Sequence, residues 1–223
     1  MIQIIKSKQQ QKLINTALFL SIFTVIYNLL EGIVSLYFGV KDETISLAGF
    51  GVDSFVEVLS GIGVWHMVWR MKYSQISERD SFERRALYIT GVSFFILTAG
   101  IVTGSVLNIV FAVKPVTTLP GVIISVISIA SMYFLYKYKM KTGIALNSDA
   151  IISDANCTKT CFQLSFVLLG SSLLYEFFKI GYIDIIGGLG IAYFAFSEGL
   201  EAIEKARSNN LSCSCGSDCN TKK

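Results

Sequence analysis

Charge and proline are scarce in this sequence. Only 16% of its 223 residues are Asp, Glu, Lys or Arg and two are proline, against 52% hydrophobic residues and a mean hydropathy of +0.58. A soluble domain carries about 25% charged residues, so that class is excluded and an integral membrane protein is the default. The net charge of +3 is small, and no basic stripe interleaves with aromatics, which excludes nucleic-acid binding. The five cysteines do not suggest a disulfide framework. Cys157 and Cys161 lie inside an apolar stretch, and Cys213, Cys215 and Cys219 crowd near the C-terminus. Metal or redox chemistry suits this distribution better than stapling.

What the sequence does contain is long apolar runs. A bilayer span takes about 20 largely apolar residues, and six segments meet that requirement: 13–38, 45–68, 86–112, 119–138, 146–173 and 182–203. The first run is too long for a cleavable signal and lacks a small-residue cleavage site, so it is expected to stay in the mature chain. Lys and Arg set the orientation. Fifteen of them fall in the N-terminal segment, the 2–3 and 4–5 connections and the C-terminal tail, against Lys41, Lys114 and Lys179 on the other side. The positive-inside rule then predicts an all-α polytopic membrane protein with six transmembrane helices and both termini in the cytoplasm. Residues 1–205 are expected to form one six-helix domain, and 206–223 a Cys-containing, disordered cytoplasmic tail. The expected location is the plasma membrane.

Two spans carry chemistry. In "SLAGFGVDSFVEVLSG", Asp53 and Glu57 stand four residues apart and project from one helix face. In "DANCTKTC", Cys157 and Cys161 repeat that spacing, Asp154 and Thr158 complete the polar face, and Lys159 points away. Both pairs lie near the middle of their spans. If the two spans run antiparallel, Asp53 lies level with Cys161 and Glu57 with Cys157. Ionisable groups at that depth cost about 2.5–3.5 kcal/mol each on insertion scales, so they usually face the bundle interior and mark an ion pathway. Two carboxylates and two thiols form a borderline-soft ligand set that suits Zn²⁺ and, through the sulfurs, Cd²⁺. Mg²⁺ and Ca²⁺ prefer oxygen shells. Two other readings stay open at this point: the cysteines as small buried packing residues, and the carboxylates as lining a wet cavity or pairing with Lys159.

These residues resemble the transmembrane domain of the cation diffusion facilitators, proton-coupled exporters of zinc and related divalent metals. In that family span two carries Asp-x-x-x-Asp or His-x-x-x-Asp in a setting similar to "VDSFVEVLSG". Span five carries His-x-x-x-Asp, its first ligand three residues after an Ala-Asp, similar to "SDANC" here. The resemblance implies that Asp53 and Glu57 take the span-two ligand positions and Cys157 and Cys161 those of span five. "IDIIGGLGIA" looks like the family's Asp-led start of span six and places Asp184 there. Cysteines in place of His and Asp shift the expected preference toward softer ions. The family's cytoplasmic metal-binding domain is expected to be absent, so dimerisation through it is not carried over, and a homodimer is only kept open.

Several features lie outside the four-residue set. Asp154 is an auxiliary ligand candidate. The tail cysteines Cys213, Cys215 and Cys219 could collect a soft metal, or do nothing specific. His66, the single histidine, reads as an interfacial residue beside Trp65 and Trp69. Glu31 is a further intramembrane carboxylate, with Lys159 as partner or with a proton of its own. Glycines in spans two and six would permit close helix approach.

The leading expectation is a transporter rather than an enzyme: efflux of Zn²⁺, or a softer ion such as Cd²⁺, from the cytoplasm in exchange for protons. Its expected partners are the metal ion, protons and the lipid bilayer, with no nucleic acid and no bound cofactor. A non-transporting metal buffer or accessory subunit is the alternative. A thiol-redox membrane protein is third, because Cys-x-x-Cys is the usual redox spacing.

Overall fold

The computed structural model describes residues 2–42, 44–73, 81–111 and 114–208. Six helices account for nearly all of them: α1 (Ile2–Lys41), α2 (Ile45–Met71), α3 (Ser81–Val110), α4 (Leu119–Leu146), α5 (Asp149–Phe178) and α6 (Gly181–Arg207). Each contains a stretch long and apolar enough to cross a membrane. No proline interrupts a helix interior. Pro115 lies in the α3–α4 connection, and Pro120 lies in the first turn of α4, where its missing N–H costs nothing.

Several helices outrun the apolar segments. α4 continues to Leu146, where Asn147 closes it in the left-handed conformation (φ 49°). The 4–5 connection is therefore only Asn147 and Ser148, and Lys137, Lys139 and Lys141 belong to a helix rather than to a loop. Likewise α6 runs to Arg207, which puts Lys205 in the bundle instead of in a tail. The cysteines Cys213, Cys215 and Cys219 lie outside the described residues.

Helix directions alternate, and side-chain contacts identify the two ends of the bundle. At one end, which carries the first and last described residues, Arg70 of α2 holds Glu83 of α3 at 3.0 Å. Ala17, Met67, Val68 and Ile151 pack there from α1, α2 and α5. We call this the terminal end. At the opposite end, polar contacts knit the connections together. The Val116 N–H donates to the Asp42 carbonyl at 2.9 Å. Asp184 at the start of α6 accepts from the Ile45 N–H at 2.7 Å and from the Ser46 N–H and hydroxyl. It supplies the cap that Thr44 does not provide for α2. Glu176 of α5 does the same for α4, accepting from the Thr118 N–H at 2.6 Å.

The principal pairings are α1 on α2, α4 on α5 and α3 on α6, with α2 also touching α5 and α6. Gly51 is what lets α1 and α2 close: a Cβ there would stand 2.7 Å from the Leu36 backbone nitrogen. Large apolar side chains such as Phe19, Ile26, Leu30, Ile123, Ile127 and Phe134 cover the outside. That surface fits lipid, not water.

Candidate metal site between α2, α5 and α6

Asp53 and Glu57 point inward from adjacent turns of α2. Asp53 is only 3% exposed, and its Oδ1 has no hydrogen-bond partner among the described residues. Glu57 reaches across to α5, where the Cys161 thiol donates to its Oε1, while its Oε2 accepts from Asn28 Nδ2 of α1 at 2.7 Å. The carboxylate thus joins three helices.

The two helices do face each other, but not in the expected register. Glu57 meets Cys161, so Cys157 falls one turn nearer the terminal end and Asp53 one turn nearer the opposite end. The reason lies in the true extent of α5. It runs from Asp149 to Phe178, so its midpoint comes about one turn later than that of the segment 146–173. Its register is set mainly by α4, through Ser165 Oγ donating to Ser128 Oγ at 2.8 Å and through Lys139.

Cys157 meets α6 instead. The Lys205 ammonium lies 3.5 Å from its Sγ and holds Glu201 Oε1 at 2.6 Å. Lys139, 1% exposed, is fixed by Asp154 Oδ1 and Oδ2 and by Thr158 Oγ1, all at 3.0 Å. Asp154 therefore neutralises a buried lysine, with its carboxylate still bordering the site. These groups surround a cavity of about 60 Å³ in the terminal half of the bundle, lined by Asp53, Glu57, Asp154, Cys157, Cys161 and Glu198 among others. Toward the opposite end the space is filled by Leu47, Phe50, Phe94, Leu97, Leu164 and Ile191.

The donor set suits a borderline-soft divalent ion, and the orphaned Asp53 oxygen is a buried acceptor with room for a cation. Among the described residues, however, no three His, Cys, Asp or Glu side chains are drawn close enough to hold a metal as they stand. Glu57 and Cys161 are together, whereas Cys157 is turned to a lysine.

The pairing considered for Glu31 is not formed. Glu31 does not pair with Lys159: it accepts from the Tyr27 hydroxyl at 2.9 Å and the Ser54 hydroxyl at 3.2 Å, and Lys159 is exposed. His66 is a packing residue between helices as well as a neighbour of Trp69. Its ring centroid lies 4.6 Å from that of Phe82, and its Nδ1 lies 3.6 Å from Glu83 Oε1.

Sequence reasoning missed Asn28, Glu198, Lys139 and Lys205. For the first two a signal existed, since each is a polar residue inside an apolar span. No protein-family model matches the chain, and comparison with curated proteins returns no match.

Proposed function

We propose that the protein is a divalent-metal transporter of the cation diffusion facilitator type, moving Zn²⁺ or a softer ion such as Cd²⁺ out of the cytoplasm in exchange for protons. The observation that carries this reading is the contact between Glu57 and Cys161 across the α2–α5 interface, beside the unpartnered Asp53 oxygen and at the inner end of a polar cavity. A lone buried thiol would explain none of the carboxylates, and a lone wet cavity would not need sulfur.

The distribution of polar and apolar contacts supports alternating access. Polar side chains line the cavity in the half of the bundle nearer the termini, apolar side chains pack beyond the site, and the Asp184 and Glu176 caps join the connections at the opposite end. With the termini in the cytoplasm, as the lysine and arginine distribution proposes, the polar cavity residues lie on the side from which the ion would enter. Carboxylates and thiols bind metal only when deprotonated, so loading releases protons and protons entering from the far side help to empty the site.

Metal flux into sealed proteoliposomes under an imposed pH gradient tests the proposal. Zn²⁺ or Cd²⁺ movement with counter-movement of protons is the expected result. Stoichiometric binding without flux would instead assign a buffer, and thiol–disulfide turnover without bound metal a redox protein.

A further inference from the structure

We propose that Arg84, Arg85 and Arg207 hold the phosphate of one anionic phospholipid at the seam between α3 and α6, at the terminal end of the bundle. Three observations carry it. The first is a pocket. α3 and α6 approach closely where Gly91 faces Gly199: a Cβ on Gly91 would stand 3.1 Å from the Gly199 carbonyl oxygen. About two turns nearer the terminal end, the same helices enclose a cavity of about 340 Å³ lined by Arg84, Arg85, Tyr88, Ile89, Ala206 and Arg207.

The second is charge. Among the described residues this lining holds three guanidinium groups and no carboxylate. Glu83, next to Arg84, is turned inward onto Arg70, and Glu204, one turn before Arg207, lies outside the lining. Arg85 and Arg207 are exposed and form no ion pair with a described residue. Guanidinium forks match phosphate oxygens two at a time. Arginines at the end of a span also act as topogenic charges, but that role does not require them to converge from two helices on one pocket, as a bound headgroup does.

The third is the surface that continues from the pocket toward the bilayer. On α3, Tyr88, Ile89, Val92 and Ile96 follow Arg85 along one exposed face, and on α6, Leu200, Phe196 and Tyr193 lead away from Arg207 in the same way. The Phe95 and Phe196 rings meet across the seam at 5.5 Å. Arg85 to Ile96 and Arg207 to Phe196 are each 11 positions apart, about 16 Å of helix, which is about half of a 30 Å hydrocarbon layer. One leaflet's acyl chains fit that depth. A phospholipid engages both the arginines and the apolar faces, whereas a soluble phosphate engages only the arginines. Ala206 lines this pocket and Lys205 lines the cavity of the metal site, so the bound lipid braces the turn of α6 that borders that cavity. The inference does not depend on the metal reading.

The test uses the full chain in detergent, with phosphatidylglycerol and phosphatidylcholine of identical acyl chains as probes, followed by native mass spectrometry. The parent should bind one phosphatidylglycerol at least about tenfold more tightly than phosphatidylcholine. Arg85→Gln/Arg207→Gln should lose that preference. Lys137→Gln/Lys141→Gln, which removes the same charge from exposed positions near the terminal end of α4, should keep it. On the parent itself, phosphatidylglycerol should slow arginine-specific labelling of Arg85 and Arg207 by a glyoxal reagent, and glycerol phosphate at the same concentration should not. Equal binding of the two lipids overturns the inference, as does an unchanged preference in the arginine variant. Equal loss in the lysine variant overturns it in favour of diffuse attraction, and protection by glycerol phosphate overturns it in favour of a soluble phosphate.

Discussion

The thiol of Cys161 donates to the carboxylate of Glu57, joining α5 to α2 at the inner end of the cavity. Neither group has a reason to be buried by itself. A carboxylate that also accepts from Asn28, with an unpartnered aspartate one turn away, is an acceptor array that a cation or a proton can satisfy.

Replacing both Cys157 and Cys161 with serine keeps approximate size but exchanges polarizable thiolates for hard, weakly acidic hydroxyls. Zn²⁺ and Cd²⁺ affinity should fall by at least about 100-fold, the upper end of what losing a supporting residue around a metal ligand costs. Helicity and thermal stability should barely change. Replacing the pair with His and Asp instead should retain Zn²⁺ binding and weaken Cd²⁺ relative to it. Calorimetric titration of each purified variant, with circular dichroism alongside, checks both expectations.

Metal binding should weaken as pH falls, because the ligating carboxylates and thiols must lose protons and a proton therefore competes with the ion. The sign is fixed: each ion bound releases protons. Titrations at one pH in buffers of different ionisation enthalpy measure the number released, which should be above zero and should drop in the double-serine protein.

Lys139→Met should be strongly destabilising, by about 3–5 kcal/mol, since it removes the ammonium that pairs with the buried Asp154 carboxylate. Replacing Asp154 with leucine in the same chain should recover part of that loss. Thermal unfolding in detergent of the single and double variants measures the difference.

Asp184→Ala removes the acceptor that caps α2 from the start of α6. A stability loss of about 1–2 kcal/mol is expected, together with faster hydrogen exchange at Ile45 and Ser46. Exchange followed by mass spectrometry localises the effect.

The six-helix layout was legible because each span carries an apolar run of the required length, and the pairs Asp53/Glu57 and Cys157/Cys161 because residues four apart share a helix face. Register was not legible. Hydropathy marks where a helix is apolar, not where it ends, so the segment 146–173 misjudged the centre of α5 by about one turn and paired Glu57 with the wrong cysteine. Lys139 and Lys205 were hidden for a related reason. A lysine near the end of an apolar run reads as a topogenic charge, and only the neighbouring helix reveals that Asp154 and Cys157 draw these two into the bundle. Asp184 was placed at the start of span six, but its task of capping α2 depends on a contact between residues distant in sequence.

The most direct test of the central claim is Cd²⁺ uptake into vesicles carrying equal amounts of the parent chain or of the Glu57→Gln/Cys161→Ser double variant, under the same pH gradient. The account predicts that the parent moves Cd²⁺ and that the variant, folded to the same helicity, does not. Equal flux through both proteins would show that the ion does not pass by way of Glu57 and Cys161, and would contradict the account.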